Sequence, residues 1–303
     1  MNKIAVVGSM AFDSIETPTG KAENVVGGAA TYFALSASFF APVAMVAVVG
    51  EDFPTAELDF LKSRGIDISG IEIAKGGRTF RWSGRYHENM NLRDTLDLQL
   101  NVFADFSPKL PGSYRDSDYC FLANINPSLQ LGVLDQLNKP HLVGADTMNF
   151  WIETTRPELE KLLHKVEILT INDEEAGQLS GEHNIVLAAR KIISMGPKHV
   201  IIKRGEYGAL HFSADSIFAV PAYPLENVVD PTGAGDTFAG GLMGSLASAG
   251  SNPPTSQHIR QAIAYGTVMA SFVVEDFGFA RLRKLTRDDI DHRYRQFIAL
   301  TQI

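Results

Sequence analysis

Residues 230–241 read DPTGAGDTFAGG and lie directly before a stretch with clear helical periodicity. Phe238, Leu242 and Leu246 recur at i, i+4 and i+8, which predicts a helix that begins near residues 233–236. The first N–H groups of a helix have no internal acceptor, and the helix dipole gives them partial positive charge. The GAG segment therefore predicts an anion cradle, which glycine keeps free of side chains.

The same segment places a carboxylate beside that cradle. Asp236 falls in the first turn of the predicted helix, next to Gly233, Ala234 and Gly235. A first-turn acid also stabilises a helix by itself, and this simpler interpretation stays open. It does not account for the bare glycines or for Pro231, which fixes the chain before the helix. The arrangement suits phosphoryl transfer, because a carboxylate can take the proton of an attacking hydroxyl while the helix N-terminus stabilises the phosphoryl charge.

Length and composition limit the classes of protein that remain. The chain has 303 residues, more than the roughly 100 to 200 of a typical domain, which predicts one large domain with an appendage. Hydrophobic residues make up 45% and charged residues 20%, as in an ordinary globular protein. The formal net charge of -8 argues against a nucleic-acid partner, because nucleic-acid-binding surfaces are usually basic.

The cysteine content and the apolar segments of the sequence predict where the protein is located. Cys120 is the only cysteine, so no internal disulfide can form. The apolar run after the first residues is too short for a signal peptide, and no stretch of about 18 apolar residues suggests a membrane span. We therefore expect a cytoplasmic protein without a membrane partner.

Short β-type runs alternate with helical ones along the chain. This alternation predicts an α/β fold: a doubly wound, mostly parallel sheet with helices on both faces, whose ligand lies at the carboxyl ends of the strands. The candidate strands are 3–8, 43–50, 118–124, 141–146, 166–172 and 199–204. The candidate helices are 28–39, 54–65, 128–137, 157–164, 173–180 and 184–195.

One stretch, within about residues 71–106, breaks that alternation. Its segment TFRWSGRYH (79–87) places aromatic residues on one face of a strand and mainly polar ones on the other. It predicts a small β-sheet that serves as a lid and offers a surface for a homodimer. An edge hairpin whose aromatic residues pack on the core is the alternative.

Taken together, these motifs resemble the ribokinase-like carbohydrate kinases, the PfkB family, which includes nucleoside kinases. DPTGAGDTFAGG is similar to the C-terminal signature of that family, and further stretches match in order over nearly the whole chain. These stretches are VVGSMAFD (6–13), GGAATYFA (27–34), NDEEA (172–176), KRGEYG (203–208) and ASFVVEDFG (270–278). The resemblance implies a single ribokinase-like kinase domain over 1–303, with ATP and Mg²⁺ as cofactors.

The resemblance also implies roles on the acceptor side. Asp236 would be the catalytic base, and Gly233, Ala234 and Gly235 would form the anion hole with the Asp236 backbone. The residues that would bind substrate are Asp13, Gly27, Gly28 and Tyr32. Sugar kinases of the family usually have an asparagine where this chain has Tyr32, so the pocket differs from that of a simple ribose or fructose kinase.

On the nucleotide side, Asn172 and Glu175 would act around the triphosphate, with Glu175 holding Mg²⁺ through its water shell. Lys203, Gly205 and Gly208 would line the nucleotide site, although the family more often has threonine at the position of Lys203. The remaining implied site is for a monovalent cation such as K⁺, at Asp230 and Thr232. Further substrate contacts are expected from Arg81, Arg85, Asn124 or Asn126.

Simpler structural interpretations remain for several of these residues. Asp13 could serve a turn, Gly27 and Gly28 could start a helix, and Glu175 lies where a helix favours acids. The histidines show no metal-ligand spacing and are read as structural or surface residues.

The sequence thus predicts an ATP-dependent kinase that acts on a hydroxymethyl group of a small-molecule sugar or nucleoside. A catalytically silent sugar- or nucleoside-binding regulatory protein on the same fold is the alternative. A dinucleotide-dependent oxidoreductase is disfavoured, because GSMAFD after the first strand lacks the G-x-G-x-x-G fingerprint.

Overall fold

The structure, a computed structural model, describes residues 2–302, which form thirteen strands, eleven α-helices and three short 3₁₀-helices. The strands are β1 Ile4–Val7, β2 Ala11–Thr17, β3 Gly20–Gly27, β4 Val43–Gly50, β5 Ile66–Ala74, β6 Phe80–Tyr86, β7 Arg93–Gln99, β8 Tyr119–Leu122, β9 Leu142–Asp146, β10 Ile168–Asn172, β11 His199–Lys203, β12 Ala209–Phe212 and β13 Ile217–Val220. The helices are α1 Ala29–Ala37, α2 Thr55–Ser63, α3 Pro127–Leu134, α4 Asn149–Thr154, α5 Arg156–Leu163, α6 Asp173–Ser180, α7 Ile185–Ser194, α8 Ala234–Ala249, α9 Ser256–Val273, α10 Ala280–Lys284 and α11 Arg287–Thr301.

Nine strands form one large sheet in the order β13-β12-β11-β10-β9-β8-β1-β4-β5. Neighbouring strands are parallel, except that β12 runs antiparallel to both β11 and β13. The chain moves from β1 to β4 and β5 on one side, and then crosses to β8 and the strands beyond it. This sheet and its helices, here called the body, confirm the predicted doubly wound fold. Its topological switch point lies beside β1, where such sheets bind ligands.

The sheet is covered on both faces because its strands are apolar on both sides. All eight residues of β4, VAMVAVVG, are buried, which is typical of a central parallel strand. Phe33 of α1, Leu242 of α8 and Met269 of α9 belong to the apolar cluster on one face. Leu159 of α5 and Leu179 of α6 belong to the cluster on the other.

Helix α8 begins within the predicted range and buries the predicted face. Phe238, Leu242 and Leu246 are each at most 4% exposed. A Cβ at Gly240 would lie 2.4 Å from the Phe33 carbonyl of α1, and one at Gly241 would lie 2.9 Å from a Met269 side-chain atom of α9. The glycines therefore let two helices approach α8 closely, which holds its N-terminus at the edge of the sheet.

The remaining four strands form a separate sheet in the order β3-β2-β6-β7, here called the lid. The predicted range 71–106 contains β6 and β7, whereas residues 66–74 form β5 of the body. The other half of the lid comes from residues 11–27, so the first strand ends at Val7 and Asp13 lies in the lid. Strand β2 pairs in parallel with β6. Local patterning could not show this pairing, because it joins segments far apart in sequence.

Two further observations concern the single cysteine and the length of the helices. Cys120 is buried on β8 and has a free thiol. None of the helices within residues 2–302 combines the length and the apolar character that crossing a membrane requires.

Candidate active site

The N-terminus of α8 lies at the segment for which the sequence predicts an anion cradle. Gly233 precedes the helix with φ 74°, a left-handed conformation that favours glycine. A Cβ there would also lie 2.5 Å from the Tyr32 ring. Within the described part of the chain, the N–H groups of Gly235 and Asp236 donate to no other residue. The Ala234 N–H donates to the Pro231 carbonyl at 3.2 Å, and the Asp236 N–H lies close enough to its own carboxylate to lower the pKa of that group. The N–H groups of Gly235 and Asp236 are therefore the donors of this turn without a partner on another of the described residues.

Asp236 lies beside these donors in the first turn of α8 and is partly buried. Burial raises the pKa of its carboxyl above the ordinary value, while the positive charges of Lys203 and Arg93 lower it. A raised pKa is what a general base near neutral pH requires.

Asp13 faces the same region from the lid and is 4% exposed. Burial, together with the charges of Asp230 and Asp236, raises the pKa of Asp13 to about 8, while the Gly28 N–H lowers it. A Cβ at Gly27 would collide with the Asp13 carboxylate. Gly28 has φ 94°, and a Cβ there would lie 2.6 Å from the Ser9 carbonyl. Both glycines therefore allow the chain to pass tightly around Asp13.

Tyr32 lies on α1 between the two glycine segments. Its side chain is 1% exposed, and within residues 2–302 its hydroxyl has no hydrogen-bond partner. Burial raises the pKa of Tyr32 well above its ordinary value, and Asp13 is the charge that adds most. The ring supports Gly233 while the hydroxyl is left available to a ligand.

Asp230 and Thr232 shape the loop before the cradle. Asp230 is fully buried, and its two carboxylate oxygens accept hydrogen bonds from the backbone N–H groups of Thr232, at 2.8 Å, and Gly278, at 3.0 Å. The Thr232 hydroxyl donates to the Tyr86 hydroxyl at 3.1 Å. These contacts hold the loop against both the lid and the segment after α9.

Asn172 and Glu175 form a capping box at the start of α6. The Glu175 N–H donates to Asn172 Oδ1 at 2.7 Å, and the Asn172 N–H donates to Glu175 Oε2 at 2.8 Å. Glu175 is 7% exposed, and burial raises its pKa while Lys203 lowers it. The simpler helix-capping interpretation is therefore correct for one carboxylate oxygen, and the other makes no hydrogen bond within the described residues.

Lys203 ends β11, and the turn that follows carries Gly205 and Gly208 with φ 54° and 84°. A Cβ at Gly208 would collide with the Val220 carbonyl, and one at Gly205 would collide with the Asn91 side chain of the lid. The turn therefore packs closely against the end of β13 on one side and against Asn91 of the lid on the other.

Sequence reasoning missed two charged residues of the site. Asp146 ends β9 and is 6% exposed, and its Oδ1 has no partner within residues 2–302. Burial and the charge of Asp236 raise the pKa of Asp146 well above its ordinary value. Its position at the end of a predicted strand could have identified it. Arg93 of β7 lowers the pKa of both Asp236 and Glu175, and no local pattern marks it.

The lid lies directly against the body around the site. Besides the Thr232–Tyr86 hydrogen bond, the Thr19 hydroxyl donates to the Val229 carbonyl at 3.0 Å. Tyr86 is buried, which raises its pKa to about 12. Both hairpins of the lid thus contact the segments that hold the anion cradle.

The four additional candidates for substrate contact are engaged elsewhere. Arg81 pairs with Asp52 at 3.1 Å, and Arg85 pairs with Glu16 at 3.3 Å. Asn126 caps α3 by accepting from the Ser128 N–H at 2.9 Å. Asn124 accepts from the Trp151 indole N–H at 2.9 Å.

The assembled site suits a polyanion accompanied by cations. Three acidic residues lie close enough to Lys203 for its charge to lower their pKa values, and Asp13 lies close to one of them, Asp236. The three residues are Asp146, Glu175 and Asp236. Burial is the main cause that raises the pKa of each of these carboxyl groups. Free N–H groups beside them match phosphate oxygens, and the unpartnered carboxylate oxygens match the water shell of Mg²⁺. The residues present therefore fit a magnesium–nucleotide complex.

Comparison with known proteins agrees with this geometry. Residues 142–284 match the model of the pfkB family carbohydrate kinases. A cytidine kinase from Thermococcus kodakarensis is 34% identical over 249 residues, covering 80% of this chain and 88% of that protein.

Solved structures share the whole fold. A nucleoside kinase from Methanocaldococcus jannaschii superposes with a TM-score of 0.77 at 21% identity, covering 98% of this chain and 99% of that one. A ribokinase from Cryptococcus neoformans in complex with ADP gives 0.77 at 22% identity, covering 97% and 100%. The chain therefore belongs to the pfkB family of carbohydrate kinases, and it is a phosphotransferase with an alcohol group as acceptor.

Proposed function

We propose that this protein transfers the γ-phosphoryl group of ATP to a hydroxymethyl group of a nucleoside or sugar, with Asp236 as general base. The observation that carries the proposal is the pairing of a partly buried carboxylate with free N–H groups in one helical turn. The two groups needed for in-line transfer, a base and a phosphate cradle, are then adjacent.

In this mechanism Asp236 accepts the proton of the acceptor hydroxyl. The hydroxyl oxygen forms a bond to the γ-phosphorus while the bond from that phosphorus to the β,γ-bridging oxygen breaks, which releases ADP. Gly233 and Ala234 shape the cradle, and the N–H groups of Gly235 and Asp236 stabilise the charge on the phosphoryl oxygens. The raised pKa of Asp236 makes it a stronger proton acceptor than an exposed aspartate.

The nucleotide side of the site would use Asn172, Glu175, Lys203, Gly205 and Gly208. Glu175 and its capping partner would hold Mg²⁺ through water molecules. When bound, Mg²⁺ neutralises phosphate charge. The unpartnered oxygen of Asp146 adds a further acceptor for such water molecules.

On the acceptor side, Asp13, Gly27, Gly28 and Tyr32 would form the hydroxyl-binding wall. Burial raises the pKa of Asp13, which favours the protonated carboxyl, a form that can both donate to and accept from a substrate hydroxyl. The free hydroxyl of Tyr32 adds a donor. The similarity to a cytidine kinase favours a nucleoside acceptor over a simple sugar.

The monovalent-cation site at Asp230 and Thr232 stays a prediction. Both Asp230 oxygens already accept backbone hydrogen bonds from residues of this region. A K⁺ ion bound there would therefore stabilise the conformation of the loop before the cradle. The measurement is the rate in K⁺ against the rate in tetramethylammonium at equal ionic strength.

A homodimer through the lid is also part of the proposal. Every residue of β7 is exposed, and it forms one edge of the lid sheet. Leu96 and Leu98 on this strand are 50% and 53% exposed. An exposed edge strand presents unpaired N–H and C=O groups that can pair with another chain, and these two leucines would add apolar contact.

The decisive experiment is a coupled ADP-release assay across sugars and nucleosides, with product identified by mass spectrometry. ATP-dependent formation of a nucleoside or sugar monophosphate is the expected result. Binding of a nucleoside without any phosphorylated product would favour the catalytically silent alternative, and nicotinamide-dependent turnover would favour an oxidoreductase.

A further inference from the structure

The ammonium group of Lys203 lies at the anion cradle. Lys203 is the last residue of β11 and lies opposite Asn172 in the parallel pair with β10. An ideal Cβ at Gly235 would be only 2.8 Å from Lys203 Nζ. The lysine therefore reaches across from the sheet edge to the first turn of α8, one residue before Asp236.

This ammonium has no fixed partner in the described part of the chain. Within residues 2–302 Lys203 makes no ion pair within 4.0 Å and no side-chain hydrogen bond. It is nevertheless partly buried and close enough to lower the pKa of Asp146, Glu175 and Asp236. A partly buried ammonium with three free donors is poorly satisfied unless an anion completes its surroundings.

The geometry also indicates which phosphate that anion would be. The acceptor hydroxyl must lie within about 3.2 Å of Asp236 and in line with the phosphorus it attacks. The transferred phosphoryl group therefore lies at the cradle. Because Lys203 Nζ occupies the space directly beside Gly235, 2.8 Å from where a Cβ would stand, it is placed for that group rather than for the diphosphate that leaves.

We propose that Lys203 is a catalytic residue of this chain that binds the transferred γ-phosphoryl group together with the cradle N–H groups. This inference rests on the proposed function. A lysine here places a full positive charge where the family more often has a threonine hydroxyl. Its charge would then stabilise the transition state in addition to binding the ground state.

The test compares Lys203→Met with the control Lys198→Met. Lys198 is an exposed lysine directly before the same strand, and its ammonium group pairs with Glu167. Affinities for ADP and for a non-hydrolysable ATP analogue are measured by calorimetry with Mg²⁺ present. We expect Lys203→Met to lose about tenfold in analogue affinity while ADP affinity changes less than twofold. We expect kcat to fall about 100-fold, with Lys203→Arg restoring part of it and the control unchanged.

Each outcome decides the question. Equal losses for ADP and the analogue would place Lys203 on the diphosphate and overturn the inference, as would an unchanged kcat. If Lys203→Met does not fold, Lys203→Gln and Lys203→Arg carry the same comparison. If the wild-type protein phosphorylates no acceptor, the proposed function fails, while the preference for the triphosphate analogue still tests Lys203 separately.

Discussion

The body and the lid contribute to the same site in different ways. In the body, buried parallel strands end side by side and fix the positions of Asp146, Asn172 and Lys203. In the lid, β7 is exposed along its whole length, and the sheet is held near the site by contacts such as Thr232–Tyr86. Under the proposed function we therefore expect the body to set the rate of chemistry and the lid to set enclosure and acceptor affinity.

The largest effect is expected at the base in the body. Asp236→Asn removes the proton acceptor while keeping the shape of the side chain. We expect kcat to fall by about 10³-fold to 10⁴-fold with nucleotide affinity nearly unchanged. Steady-state kinetics and calorimetry check this, with Asp59→Asn on the exposed face of α2 as the control. A variant with more than a tenth of wild-type kcat would remove Asp236 from the proposed role.

A second change tests the shape of the cradle. Gly233→Ala places a Cβ against the Tyr32 ring and a non-glycine residue at φ 74°. We expect kcat to fall about 100-fold, because small displacements of reacting groups are costly. Gly112→Ala is the matched control, since a Cβ there has nothing within 4 Å. Equal effects of the two substitutions would show that the cradle tolerates a side chain.

A smaller effect is expected in the lid. Tyr86→Phe removes the hydroxyl that accepts from Thr232. One lost hydrogen bond of about 1 kcal/mol corresponds to about a fivefold rise in acceptor KM, with kcat changed less than twofold. Thr232→Val and the double variant complete a mutant cycle, and the two changes should not add. A fall in kcat alone would contradict the division of labour between lid and body.

The smallest effect on activity is expected at the outer edge of the lid. Leu98→Lys introduces a charge on the exposed strand β7, which should prevent edge pairing between copies of the chain. Light scattering coupled to gel filtration should then give a monomer mass for the variant and a dimer mass for the wild type. Leu187→Lys, at an equally exposed leucine of α7, is the control. A monomeric wild-type protein would contradict the proposed dimer.

Much of the body could be predicted from sequence because its signals are local. Each of the six predicted strands corresponds to a strand of the large sheet, and each of the six predicted helices has a counterpart. Several other elements of the body were not predicted: helices α4, α9, α10 and α11 and strands β5, β12 and β13. Helix α4 was missed because its six residues follow a predicted strand without a clear apolar period. The start of α8 was predictable because glycines and an acid directly before an apolar helical period mark a helix N-terminus, and its use as an anion cradle stays a prediction.

The lid and part of the site were harder to predict from the sequence. Strands β2 and β3 were not predicted, although Asp13 within them was identified from the family resemblance. Arg93 reaches the site only because β7 pairs with β6, which brings it opposite Tyr86. The ion pairs of Arg81 with Asp52 and of Arg85 with Glu16 could not be predicted, because their acidic partners lie in segments distant in sequence.

The sequence by itself determined the alternation of strands and helices, the bare start of α8 and the carboxylate at Asp236, because these depend on residues within a few positions of one another. Only the tertiary structure decided that Asp13, Asp146 and Lys203 lie around that helix start. Pairing between distant strands brings such charges together, and burial then changes their pKa values. Neither effect has a counterpart in local sequence.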